Sequence, residues 1–256
     1  MATARRLCVA VDLVGFSTRR AEVQAELQGR LRRTLKRAWR ENGVHPVERR
    51  WQGDGEVALA PGSVDESAFV SGFVRALRIV LRRDNRGLPV TSPVRMRVRV
   101  AMHTGAAGIG RPGLVDTGVV RTCRLLDAQP LRAALIEHPD SDVALIVSQS
   151  LFEDVIWAER HELARDDFRP VRIVLDHKSF VADAWMHVAA SSTAAPVAGD
   201  EARLLAVALL MAGWRSGGDH PAATSSCGSA GAGSNGSCTS QNHRRESSRD
   251  RVASRR

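Results

Sequence analysis

The sequence has no tyrosine and only two lysines, Lys36 and Lys178, so 35 of its 37 cations are arginine. Aromatic residues make up 4% of the chain, and the four cysteines, Cys8, Cys123, Cys227 and Cys238, show no CxxC or Cys/His ligand spacing. That pattern offers no zinc-ligand spacing, and Cys8 and Cys123, which lie in apolar stretches, read as reduced core thiols. No segment approaches the roughly 20 apolar residues of a membrane span. Asp12 interrupts the N-terminal run Leu7 to Phe16, which makes it a poor signal-peptide core. This composition is the one expected in the cytoplasm. An arginine excess of this kind matches the codon usage of a GC-rich genome. A nucleic-acid or membrane partner would need the charge clustered with interleaved aromatics, and it is not so arranged.

What is present is enough apolar residue, 43% against 25% charged, to bury a core over most of the 256 residues. Composition changes near residue 190. From Ser216 to Ser240, 13 of 25 residues are Gly or Ser and Asp219 carries the only formal charge, a stretch that cannot offset the entropy of ordering its backbone. The expected organisation is one domain over 1–189 and a low-complexity tail over 190–256, with a short amphipathic helix at 200–214. No internal repeat is visible.

Within 1–189 the hydrophobic period switches between two and three-to-four. Leu7-Cys8-Val9-Ala10-Val11 reads as a buried strand ending at Asp12. Ser17 is placed to cap a long helix that carries Val23, Leu27, Leu31, Leu35 and Trp39 on one face and stops at Asn42-Gly43. Val47 to Gln52 and Glu56 to Ala60 predict a hairpin closed through Gly53-Asp54-Gly55. A second helix follows from about Glu66 to Arg83, with Phe69, Phe73, Leu77 and Val80 inward. Arg95 to His103 alternates as a strand with one wet face. Helices are expected over Thr117 to Ala128 and after Pro130, a strand over Val143 to Val147, and a helix over Leu151 to Trp157. Pro170 to Leu175 and Val181 to Val188 form a closing pair of strands. The order β-α-β-β-α-β predicts a ferredoxin-like α/β sandwich, extended by further helix and strand units.

Two carboxylates stand out. Asp12 ends an apolar strand, where an unpaired charge is costly, and a Gly turn and a helix start follow it. Asp54 sits at the tip of the hairpin. In this topology the first strand and the hairpin share one sheet, so the two carboxylates can converge beside a helix N-terminus, a common way to build a Mg²⁺–triphosphate site. Taken alone, Asp54 also fits a plain turn residue, because Asp-Gly is a favoured turn pair.

Four segments in order resemble the class III nucleotidyl cyclase homology domain. They are Val9 to Ser17, Trp51-Gln52-Gly53-Asp54-Gly55-Glu56-Val57-Ala58, Arg97 to Gly105 with its His103-Thr104-Gly105 ending, and Arg124-Leu125-Leu126. The resemblance covers roughly 1–189 and is greatest to stand-alone bacterial members. It implies that Asp12 and Asp54 bind two Mg²⁺ or Mn²⁺ ions with the Leu13 carbonyl as a further ligand, and that the Gly15, Phe16 and Ser17 amides hold the triphosphate. Arg124 falls at the transition-state arginine and Lys178 near a triphosphate-binding lysine, while His103 has a structural role. It also implies a head-to-tail homodimer whose sites combine residues of both chains. The departures are equally specific. The family's catalytic asparagine is Val120 here, and its two base-reading positions are Arg50 and Gly113. Three functions follow as alternatives: a metal-dependent cyclase making a 3′,5′-cyclic nucleotide, a silent cyclase-like regulatory or binding module, and an Arg-rich nucleic-acid-associated protein.

Overall fold

A computed structural model describes residues 4–46, 48–110, 113–115, 117–157 and 163–188, all within the first of two units, residues 1–211. The expected tail over 190–256 and the helix at 200–214 lie outside the described residues, as does Val47. Strand β1 (Ala4–Leu13) leads through a 3₁₀ turn (Phe16–Thr18) into helix α1 (Ala21–Glu41). The hairpin β2 (Glu48–Gln52) and β3 (Gly55–Leu59), helix α2 (Glu66–Asp84) and strand β4 (Val98–Gly110) complete β-α-β-β-α-β. Then come β5 (Gly113–Val115), α3 (Thr117–Leu126), α4 (Gln129–Glu137), β6 (Val143–Ser148), the short helix α5 (Gln149–Leu151), β7 (Phe168–Leu175) and β8 (Phe180–Val188).

The sheet runs β2-β3-β1-β4-β6-β8-β7, with β5 paired to β4 outside this path. Its first four strands, β2-β3-β1-β4, are antiparallel neighbours in the ferredoxin-like order. The β4–β6 pair is parallel, and the helices α3 and α4 make the crossover it requires.

The two faces of the sheet enter two separate cores. Leu7, Val9, Val11 and Leu13 of β1, Val98, Val100 and Met102 of β4, and Val143, Leu145 and Val147 of β6 enter one core beneath α1 and α2. The alternate residues Cys8, Ala10, Ala101 and Ala144 enter a second core beneath α3 and α4. Small side chains on that face let α3 approach closely. A Cβ at Gly118 would stand 2.6 Å from the Ala106 carbonyl oxygen. With both faces covered, β1 reads as an unbroken apolar run rather than an alternation.

The helical faces match the sequence pattern. Leu27, Leu31, Leu35 and Trp39 are buried on α1, and Phe69, Phe73, Leu77 and Val80 on α2. Trp39, Phe69 and Phe73 pack with centroids 5.0 to 5.3 Å apart. Trp39 Nε1 also donates to the buried Glu56 (3.2 Å), which Arg49 neutralises, so β2, β3 and α1 are joined by one polar link.

Three expectations are corrected. Ser17 does not cap α1: it lies in the 3₁₀ turn, and the helix starts four residues later behind Arg20. The expected wet face of β4 is covered, because Ala101 and His103 are buried, and Arg97 is tied to the Ser141 (2.8 Å) and His138 (2.8 Å) carbonyls near the end of α4. The helix expected at Leu151 to Trp157 is largely a π turn, Phe152–Ile156, which sets Phe152 flat on Trp185 at 3.8 Å.

The hairpin reaches β1 only because Gly55 has no side chain: a Cβ there would meet the Val11 carbonyl oxygen at 2.5 Å. Gly55→Ala is therefore expected to cost about 1–3 kcal/mol by overpacking. Denaturant titration should show a lower midpoint with an unchanged slope.

Candidate functional site

Asp12 occupies the last full register position of β1. It faces Gly55 of β3 on one side and Arg99 of β4 on the other. Beyond it the Leu13 amide donates to the Asp54 carbonyl (3.1 Å) and the Val14 amide to the Arg97 carbonyl (2.9 Å). Asp12, at the end of β1, and Asp54, in the turn between β2 and β3, are therefore neighbours through the backbone. α1 holds the hairpin tip from the other side, with Gln28 Nε2 donating to the Gly53 carbonyl (2.9 Å).

Asp12 has a partner that the sequence reading did not name. Arg99 clamps it with two parallel bonds, Nε to Oδ1 at 2.8 Å and a terminal nitrogen to Oδ2 at 2.6 Å. Their side chains are 13% and 16% exposed, so this pair is shielded from solvent. Burial pushes the Asp12 carboxyl up to about 6; Arg99 works against that rise, Asp54 adds to it, and the charge of Arg132 opposes it. The signal for Arg99 was its place in the Arg95-Arg97-Arg99 alternation, which was read as solvent-facing.

The loop after β1 is built from side chains that reach back to its carbonyls. Thr18 Oγ1 donates to Gly15 (2.9 Å), and Gln24 Nε2 to Phe16 (3.1 Å) and Arg19 (2.9 Å). Arg19 donates to the carbonyls of Val14 (3.2 Å), Arg95 (3.2 Å) and Pro93, and its burial lowers its pKa. Gly15, Phe16 and Ser17 thus lie on a braced 3₁₀ turn and not on the first turn of α1.

A second cluster gathers the expected basic residues. Lys178, in the 3₁₀ turn Asp176–Lys178 between β7 and β8, reaches Asp127 at 2.5 Å, and Arg132 reaches the other oxygen of Asp127 at 2.9 Å. Burial acts to raise the Asp127 carboxyl, but Lys178 and then Arg132 outweigh it and hold it below its ordinary value. Arg124, on α3, stacks over Phe180 at 5.2 Å. Arg124 and Lys178 therefore share the α3–β8 neighbourhood, while Asp12 pairs with Arg99.

The remaining positions are dispersed. Arg50 is exposed on the edge strand β2 and pairs with Glu48 at 3.0 Å. Gly113 lies in β5 opposite Gly110. Val120 stands 47% exposed on α3, an apolar side chain facing water. His103 is buried, with Nδ1 2.9 Å from the Ser148 hydroxyl, and its Nε2 packs so close to Gly105 that an added Cβ would lie 2.6 Å away. That is a structural setting.

Asp12, the Leu13 carbonyl and Asp54 are hard oxygen donors at the end of β1 and in the adjoining hairpin turn, a donor chemistry that suits Mg²⁺ or Mn²⁺. Among the described residues no group of three or more His, Cys, Asp or Glu side chains is placed to hold a metal, so such a site would be completed by backbone, water or a bound anion. No helix among the described residues is long and apolar enough to cross a membrane.

No protein-family model and no curated protein matches the sequence. Solved structures do match the fold. The catalytic core of a rhodopsin-guanylyl cyclase with converted specificity, in complex with ATPalphaS, superposes with a TM-score of 0.51 at 14% identity, covering 74% of this chain and 97% of that one. The guanylyl cyclase Cya2 gives 0.51 at 15% identity, covering 75% and 96%. The guanylate cyclase domain of RhGC from Catenaria anguillulae, in complex with GTP, gives 0.50 at 13% identity, covering 74% and 99%.

His103 provides a pH test of this packing. Burial, and then Arg121 and Arg5, push its pKa down from 6.5 to about 4, so the fold holds it neutral where the unfolded chain would take up a proton. Stability is then lost as pH falls from 6.5 toward 4. Denaturant midpoints measured across that window should fall less in His103→Gln than in the parent protein, with buried His187, also held below its ordinary value, keeping part of the decline.

Proposed function

The chain has the fold of the adenylyl and guanylyl cyclase catalytic domains, and from that premise we propose that it is a divergent nucleotidyl cyclase-like protein that binds a nucleoside triphosphate with Mg²⁺ or Mn²⁺ and cyclises it slowly. The observation that supports this reading is that the Asp54 turn meets the end of β1, where the Leu13 amide donates to the Asp54 carbonyl and the charge of Asp54 acts on the Asp12 carboxyl. The chemistry supplied at such a site is activation of a ribose 3′-hydroxyl and neutralisation of charge on the α-phosphate. Asp12, Asp54 and the Leu13 carbonyl hold the ions, and the turn of Gly15, Phe16 and Ser17 sits beside them for the phosphates.

Arg124 serves the other half of the reaction. Its guanidinium, laid over the Phe180 ring, meets charge developing on the phosphoryl oxygens. Lys178 lies in the same neighbourhood and is freed for a triphosphate when it leaves Asp127. We assign the two halves to different chains of a head-to-tail homodimer, each site taking carboxylates from one chain and Arg124 with Lys178 from its partner. Arg50 and Gly113 provide no paired base readers, so discrimination between nucleobases is expected to be poor.

A second reading, a catalytically silent binding module, is favoured by Val120. An apolar side chain stands where the related domains carry a hydrogen-bonding asparagine. Removing one positioning donor typically costs about 10²–10³ in rate, which slows a cyclase without preventing triphosphate binding.

Incubation with ATP, GTP, CTP and UTP in Mn²⁺, with products resolved by mass spectrometry, separates the two. Metal-dependent nucleotide binding is expected in the parent protein and loss of both binding and product in Asp54→Ala. Val120→Asn should raise any cyclic product by roughly tenfold to a hundredfold. Mixing Asp54→Ala with Arg124→Ala chains should restore product if sites are shared between chains. Binding without product in both the parent and Val120→Asn selects the silent module, and no metal-dependent binding of any triphosphate rejects both readings.

A further inference from the structure

The Arg99 clamp has a consequence for which form of the metal the site accepts. Both oxygens of Asp12 are taken, by bonds of 2.8 and 2.6 Å, and the pair is largely shielded from water. The clamp is set by strand register, because Asp12 and Arg99 are direct cross-strand partners in β1 and β4, so it exists without any ligand. Arg99 thus cancels the charge of Asp12 from within the sheet, while Arg132, the other cation acting on Asp12, is itself paired with Asp127 at 2.9 Å. A bare divalent cation must displace a charge-assisted bidentate bond and repel the guanidinium it frees. A divalent cation already chelated by a polyphosphate is an anion overall, and its phosphate oxygens offer the displaced guanidinium a new partner.

We propose that Arg99 is a specificity-determining residue that competes with free divalent cations for Asp12, so that the site discriminates against the bare ion. This rests on the reading of Asp12 and Asp54 as metal carboxylates. The cost of displacing Arg99 is the discriminating quantity, since taking one partner from a shielded ion pair leaves the other uncompensated. Two nearby acids are already engaged: Asp142, just before β6, by Arg95 at 2.8 Å, and Glu56 of β3 by Arg49 at 2.5 Å. Neither is free to take Arg99 when a cation arrives.

The test is Mn²⁺ binding by electron paramagnetic resonance, with no nucleotide, on the full chain of the parent, Arg99→Gln, Arg99→Lys and Asp54→Ala. Arg99→Gln removes the competing charge, and its affinity for free Mn²⁺ should rise roughly tenfold or more, equivalent to about 1.4 kcal/mol. Arg99→Lys keeps a charge without the two-pronged geometry and should fall between the parent and Arg99→Gln; it decides the matter if Arg99→Gln does not fold. A parallel series with inorganic triphosphate present checks the underlying site. Mn²⁺ bound there by the parent and lost in Asp54→Ala, with no gain in free-ion affinity in either Arg99 variant, overturns the competition and leaves the site reading intact. Mn²⁺ bound in neither series overturns both.

Discussion

Everything in this molecule that bears on chemistry depends on β1 being paired along both edges. β3 and β4 run antiparallel to it on either side, so the residue that ends β1 is held by two neighbours at once. Antiparallel pairing fixes who those neighbours are, because a shift of one residue would turn every side chain to the opposite face. With each face of the strand buried in its own core, such a shift would exchange the two sets of side chains. Asp12 is thus delivered beside the Asp54 turn and opposite Arg99 by the same burial that stabilises the sheet.

The two charged clusters are each neutralised from within. Asp12 is satisfied by Arg99, and Lys178 by Asp127, which Arg132 also reaches. Leaving buried or half-buried charges unpaired would be expensive, so a fold that carries a site for an ionic ligand has to supply stand-in counter-ions when that ligand is absent. On the proposed function, binding is an exchange in which a ligand replaces an internal partner and its affinity reflects the difference between the two pairings. Arg19 and Gln24 stabilise the turn after β1 through its carbonyl groups, which keeps that turn in shape independently of any ligand.

The strands, the two long helices and the hairpin were legible because their signals are local. Fourth spacing from Leu27 to Trp39, the unbroken apolar run of β1 and the Gly-Asp-Gly turn each report a backbone preference or a buried face within a few residues. Signals that depend on distant neighbours were not legible. Arg95, Arg97 and Arg99 look like a solvent-facing row by alternation, yet α4 covers one of them and Asp12 takes another. Ser17 has the chemistry of a cap, but a braced 3₁₀ turn occupies the place where the helix was expected to begin. The π turn at Phe152–Ile156 answers to the stacking of Phe152 on Trp185, a residue more than thirty positions away in β8.

By itself, then, the sequence determined the apolar faces of the strands and long helices, the hairpin turn, and that the end of β1 adjoins the turn that carries Asp54, since hydrophobic period and turn chemistry are properties of short segments. It also determined what the site lacks, because Val120 and Gly113 carry no hydrogen-bonding side chain in any fold. Only the tertiary structure decided what each charge is paired with. Ion pairs form between side chains 87 positions apart, as Asp12 and Arg99 are, and nothing in the local pattern of either residue specifies the other. The choice is made when β1 and β4 settle into register and water is excluded from between them.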